Sequence, residues 1–313
     1  MTPALDRFRL AAAVLVVCIH TGPLASLSAG ADFWLCRCAA RTAVPFFLMV
    51  SGYFLARDRW EGAGRFLRKT AGTYLAAVVL YLPLNLHSGG YAPLEWARRL
   101  LLEGTLYHLW YFPALLLGVP IARRLSRLGP RATLTAAAGL YLMGLGGDSY
   151  YGLAFRLPAL RGFYGAVFAL FGYARNGLFY VPLFLLLGAA GKRWTPRASA
   201  LGLALSLGLM TGEAFALRAL GWQRHDSMYL FLPLCMVFLF SLLLGRNQGE
   251  DRRARRLSLL VYLLHPWFIA LVWAACRRLA WPPAENSLVR FTAVLALTLA
   301  AALALERIRR DAA

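Results

Sequence analysis

Apolar residues in this chain arrive in long blocks separated by short Arg-rich stretches, not in the narrow stripes of helices that pack in water. Most blocks are long enough to cross about 30 Å of hydrocarbon as a helix. Ten spans are predicted, near 7–27, 33–55, 71–87, 106–122, 132–147, 176–190, 198–217, 227–245, 257–276 and 287–306. The pattern therefore predicts an all-α, polytopic transmembrane bundle, with residues 1–313 forming a single integral-membrane domain. A further apolar stretch, 159–174, is short and is expected to lie at the interface or to re-enter. The chain shows no convincing internal repeat, which weakens an inverted-repeat transporter reading.

Charge then orients the spans. With the N-terminus inside, 22 of the 34 Lys and Arg residues fall in cytoplasmic stretches and nine in outer loops. Both termini are therefore expected in the cytoplasm, and the protein in the cytoplasmic membrane as a multi-pass chain. If 159–174 crossed as well, every later loop would change sides and the basic residues there would face outward.

Composition excludes a soluble domain: 60% of residues are hydrophobic and 15% charged, against about 25% charged in typical soluble domains. The net charge of +20 does not imply nucleic acid. The basic residues sit between apolar blocks, where they set topology and meet anionic headgroups, so membrane lipids are the expected partner. Cys18, Cys36, Cys38, Cys235 and Cys276 are odd in number and mostly lie in apolar segments, which argues against a disulfide framework. The lone C-x-C of Cys36 and Cys38 falls short of a zinc site, and no metal is expected. Arg7 and Arg9 followed by an apolar run imitate a signal peptide, but the ionisable residues in that run make sense as a site, and the segment is expected to be retained.

A charged side chain inside a span costs at least about 2.5 kcal/mol on insertion scales, so each is a candidate for function. Arg9 and His20 lie eleven positions apart, about 1100° of helix, or three turns plus roughly 20°. They project from one stripe, with a rise of about 16 Å between them. A guanidinium near the inner surface can hold phosphate bidentately. An imidazole at depth can take a proton from a hydroxyl. Spacing alone favours a snorkelling Arg and a structurally hydrogen-bonded His over that chemistry.

Other candidates follow from the same reasoning. Arg65 and Arg68, at the start of the third span, suit either phosphate binding or topology. Arg37 and Arg41 are four apart and are expected to share a helix face, with Arg41 serving the site or bracing Pro45. Ser51-Gly52-Tyr53 would let helices approach closely, and Tyr53 offers a hydrogen-bond donor. His265, followed by Pro266, is either a second functional histidine or a structural one. His108, beside Trp110 and Tyr111, is expected in an interfacial aromatic belt. Glu213, inside a span, is expected to serve function or pair with Arg218, and Asp148 to be solvated in a loop.

Leu5-Asp6-Arg7-Phe8-Arg9 through His20 resembles the first helix of the integral-membrane acyltransferase-3 family, whose most characteristic signature is an Arg, ten residues, then a His. Arg41 through Phe47, running to Ser51-Gly52-Tyr53, is similar to the family's second signature. Arg65 through Lys69 resembles its basic motif, and Tyr262-Leu263-Leu264-His265 a common late-helix motif. Within that superfamily the chain is closer to the membrane half of vancomycin-resistance serine racemases. That likeness rests on Ile19-His20-Thr21, His108 through Tyr111, Arg175 through Phe179 and Gln223 through Tyr229. In those proteins a pyridoxal-phosphate racemase domain follows. Here the chain stops at Ala313, so only the membrane activity is expected to carry over.

The resemblance implies a membrane O-acyltransferase with acyl-CoA as donor substrate and no permanently bound cofactor. Arg9, with Arg65 and Arg68, would hold the CoA, and His20 with Arg9 would be catalytic. A hydroxyl of an extracytoplasmic or lipid-linked acceptor, such as a cell-envelope glycan, would receive the acyl group. Arg41, Tyr53, Glu213 and His265 would contact substrate. The serine-racemase branch implies a different activity, transport of serine or a similar small amino acid. A scaffold that has lost activity is the third possibility.

Overall fold

The computed structural model describes residues 3–87, 92–244, 249–279 and 285–311. Residue 245, at the end of the eighth expected span, and the basic Arg246 lie outside the described residues. Among the described residues the structure is helical and has no strands. The first half contains α1 (Pro3–Thr21), α2 (Ala29–Arg37), α3 (Ala43–Arg57), α4 (Ala63–His87), α5 (Pro93–Arg98), α6 (Tyr111–Leu125) and α7 (Pro130–Gly146). The second half contains α8 (Tyr151–Ala154), α9 (Pro158–Phe171), α10 (Val181–Ala190), α11 (Pro196–Ala219), α12 (Leu232–Leu244), α13 (Arg252–Leu279) and α14 (Ser287–Asp311).

Each expected span overlaps a helix, and the second overlaps two, α2 and α3. Four stretches are long and apolar enough to cross a membrane by length and composition: Ala29–Arg57, Pro196–Ala219, Arg252–Leu279 and Ser287–Asp311. The helix over the doubtful stretch, α9, has 14 residues, about 21 Å at 1.5 Å per residue, which is short of the hydrocarbon thickness.

The second span departs from expectation. The continuous helix expected over 33–55 is broken: α2 stops at Arg37, Cys38 adopts φ −117° and ψ −74°, and a 3₁₀ turn covers Ala39–Thr42 before α3 begins. Arg37 and Arg41 therefore do not share a face of one helix.

The chain divides into two compact units interleaved in sequence, one of residues 1–47, 193–211 and 234–313, the other of residues 48–192 and 212–233. In the first unit α1, α13 and α14 pack around an apolar core of Ala13, Val17, Leu257, Val261, Val272, Val294 and Ala302. Helix α1 runs parallel to α13 and in register with it. The Asp251 N–H, just before α13, donates to Asp6 Oδ2 near the start of α1 at 3.1 Å. Far along the same pair the His20 and His265 rings meet at 5.6 Å, with the same offset of 245 residues.

Helix α14 runs the other way. Glu306, near its end, accepts from Arg256 at 2.9 Å near the start of α13. Ser287, at its start, exchanges hydrogen bonds with Ser26 beyond the end of α1.

In the second unit α3 and α10 cross with their backbones in contact. A Cβ on Gly52 would fall 1.9 Å from the Leu185 carbonyl oxygen, and one on Gly188 would fall 2.0 Å from that of Met49. Only glycine permits this reciprocal approach, the device by which helices pack closely where no water drives them together. The small residues of Ser51-Gly52-Tyr53 thus mark a close helix crossing.

Candidate functional site

The polar groups of the first unit gather on the α1–α13 pair. Asp6 is buried near the start of α1, and its Oδ1 accepts from Arg9 Nη1 one turn later. Its other oxygen takes the Asp251 N–H. Asp251 in turn caps α13, its Oδ1 accepting from the Ala254 N–H at 2.9 Å, while Arg7 reaches its Oδ2 at 3.5 Å. That cap, followed by the Arg7 side chain, holds the Asp251 carboxyl below the ordinary carboxylate range. Arg9 is thus fixed by a buried carboxylate that also staples the two helix starts together.

At the other end, α1 stops one residue after His20. Gly22 takes the left-handed conformation, φ 58°, its N–H bonds the Cys18 carbonyl at 3.0 Å, and Pro23 follows. This is the usual glycine termination of a helix. His20 therefore lies in the last turn of α1.

Beside it, the fully buried His265 ring stacks at an interplanar angle of 20°. His265 Nδ1 lies 3.1 Å from the Val261 carbonyl, one turn back. A carbonyl only accepts, so Nδ1 carries the proton and Nε2 keeps the lone pair.

Between these ends the shared stripe of α1 is apolar. Ala13 and Val16 lie on it and both are buried.

Arg41 also belongs to this unit. It is buried in the 3₁₀ turn, which packs against α1. Cys36 Sγ donates to the Cys18 carbonyl at 3.2 Å and so ties α2 to α1. None of the five cysteines is in a disulfide among the described residues.

A family profile described as an acyltransferase domain matches residues 2–307. The chain belongs to that acyltransferase family. It is also 38% identical to a serine/alanine racemase of Enterococcus gallinarum, over 94% of this chain and 44% of the relative. Two amino-acid racemases of Enterococcus faecalis are each 37% identical, over 93% of this chain and 44% or 43% of their own length. The chain thus spans less than half the length of these relatives. No solved structure matches it.

The remaining site candidates of this acyltransferase-family protein lie in the second unit. Arg65 and Arg68 are exposed in the first turns of α4. Tyr53 receives the Arg57 guanidinium, which lies 5.4 Å from its ring centroid and donates to its hydroxyl at 3.4 Å.

Glu213 is engaged by the protein itself. Its Oε1 accepts from the Tyr150 hydroxyl at 2.8 Å and the Leu230 N–H at 2.6 Å, and its Oε2 accepts from the Phe231 N–H at 3.1 Å. It holds the segment leading into α12, and as a substrate ligand it would have to release those donors. Burial, then the bond to Glu213, pushes the Tyr150 phenol above its usual range, so Tyr150 remains a donor.

Asp148 is not solvated, as expected of a loop residue, but fully buried. Its Oδ1 accepts from the N–H groups of Ser227 and Met228 at 2.8 and 2.9 Å. His108 is likewise buried, edge-on to Tyr81 at 5.0 Å, and not in an interfacial belt. Asp148 thus satisfies backbone of a distant loop, whereas His108 packs against aromatic rings.

Proposed function

We propose that this protein is a membrane O-acyltransferase that moves an acyl group from cytoplasmic acyl-CoA to a hydroxyl of an extracytoplasmic or lipid-linked acceptor. The observation that carries this reading is the α1–α13 pair, with an oriented guanidinium at one end and two stacked imidazoles at the other. Arg9, positioned by Asp6, holds a CoA phosphate from the cytoplasmic side. The acceptor hydroxyl gives its proton to His20 as its oxygen attacks the thioester carbonyl. The tetrahedral intermediate then expels the CoA thiolate, and the imidazolium returns the proton to sulfur. His265 supports the base from its stacked position, and Arg41 contacts substrate.

The same reading takes the chain as ten spans in the cytoplasmic membrane with both termini inside. Parallel α1 and α13 support it. Helices that share a direction need an odd number of crossings between them, and the ten-span order supplies seven. A crossing by 159–174 would make eight and turn α13 antiparallel to α1.

Incubation of the purified protein in liposomes with radiolabelled acetyl-CoA tests the assignment, with loss of label transfer expected on His20→Ala. A second reading, movement of serine or a similar amino acid, is favoured by the likeness to proteins named serine/alanine and amino-acid racemases. Uptake of radiolabelled serine with no consumption of acetyl-CoA would establish it in place of acyl transfer.

A further inference from the structure

Near the end of α14 a single buried carboxylate, Glu306, answers to three arginines. Arg256, in the first turns of α13, donates to its Oε1 at 2.9 Å, and Arg253 lies 3.7 Å from its Oε2. Arg310 stands one turn beyond Glu306 on α14, and its charge acts on the same carboxylate. The other carboxylates at these helix ends are engaged elsewhere. Asp251 holds Arg7 and the α13 cap, Glu250 lies 2.9 Å from Arg252, and Asp311 lies 3.9 Å from Arg307. The cluster around Glu306 is therefore cationic.

Glu306 also aims these cations. It is 5% exposed, whereas the Arg253 and Arg256 side chains held on it remain 61% and 42% exposed. Their remaining N–H groups reach outward from a fixed place. Guanidinium groups preorganised in this way lose little freedom when they take a phosphate. Arg123 and Arg124, at the end of α6, are by contrast exposed and meet no carboxylate among the described residues. Apolar surface continues from the cluster. Leu303 lies one turn before Glu306 and Leu259 one turn after Arg256, and both are exposed. A cationic spot beside exposed leucines matches a phosphate headgroup followed by its acyl chains. A free anion would match the first part alone.

We propose that Arg253, Arg256 and Arg310, gathered by Glu306, bind the headgroup of one anionic phospholipid, with its chains along Leu259 and Leu303. The site lies on the α13–α14 pair, and so ties the helix that carries His265 to the surrounding lipid. The inference goes beyond acyl transfer. Its test contains no acyl donor, so its failure and the failure of the transfer reading are separable.

The probe is phosphatidylglycerol, followed by native mass spectrometry of the full chain released from nanodiscs that mix it with phosphatidylcholine. Wild type should retain phosphatidylglycerol in preference to phosphatidylcholine. Arg256→Gln and Arg310→Gln should each lower that retention about fivefold, the effect of one basic residue near an anionic surface. Arg124→Gln removes the same charge outside the cluster and should leave retention unchanged. Equal retention of the two lipids by wild type overturns the proposal. So does unchanged retention in the folded Arg310→Gln protein, an equal loss in Arg124→Gln, or displacement of the lipid by inorganic phosphate.

Discussion

The α1–α13 pair and the α3–α10 crossing solve the same problem, holding two helices together, by opposite means. Helices α3 and α10 meet through glycine, backbone on backbone, with no polar side chain at the closest points. Helices α1 and α13 meet through side chains: a carboxylate staple at one end, stacked imidazoles at the other and small apolar residues between. Contact through glycine is rigid and chemically silent. Contact through Asp6, Arg9, His20 and His265 leaves groups that bind anions and move protons. Stability should therefore be the main reporter on the α3–α10 crossing, and activity on the α1–α13 pair.

The sharpest way to break this contrast is Gly188→Ala. The added methyl would drive into the Met49 carbonyl, which as backbone cannot step aside. A loss of about 3 kcal/mol or more, or failure to fold, is expected in a detergent unfolding assay, at the upper end of overpacking costs. A well-folded variant with unchanged stability would contradict the crossing.

His265→Asn should behave in the opposite sense. Transfer should fall at least about tenfold, equivalent to about 1.4 kcal/mol of barrier, with a smaller change in stability than Gly188→Ala produces. Equal activity with a large stability loss would make His265 a packing residue only.

A milder perturbation is acid. Asp251 is held below the ordinary carboxylate range in the folded chain, so its contribution is complete above that range and is lost as pH falls through the depressed value. The start of the α1–α13 pair should loosen as pH drops below about 4, seen as faster amide exchange near Ala254. Asp251→Asn should flatten that dependence. Because Asp251 lies at the surface, the effect is expected to be small.

Much of the first contact was legible in the sequence, because ionisable residues are conspicuous in apolar helices. Arg9, His20 and His265 stand out for that reason. What composition could not reveal was which helices are neighbours, and hence that the two histidines touch. A faint signal existed: Asp6 precedes His20 by the same interval as Asp251 precedes His265. Asp6 itself was overlooked as the residue that positions Arg9, although its one-turn spacing from Arg9 is the usual geometry of a helical ion pair.

The break at Cys38 carries no Gly or Pro to announce it. Asp148 and Glu213 show the limit from the other side. Polarity in a loop or span indicates that a partner is needed, and here the partners are the backbone N–H groups of distant segments. Gly52 was readable as a close approach, while its counterpart Gly188 required the fold.

The central claim is a division of labour along α1, and steady-state kinetics of acetyl transfer in proteoliposomes tests it most directly. Arg9→Gln should raise KM for acetyl-CoA while leaving much of kcat. His20→Ala should lower kcat by about a hundredfold or more with little change in KM. Full transfer by His20→Ala, or loss of kcat alone in Arg9→Gln with acetyl-CoA affinity intact, would contradict the account.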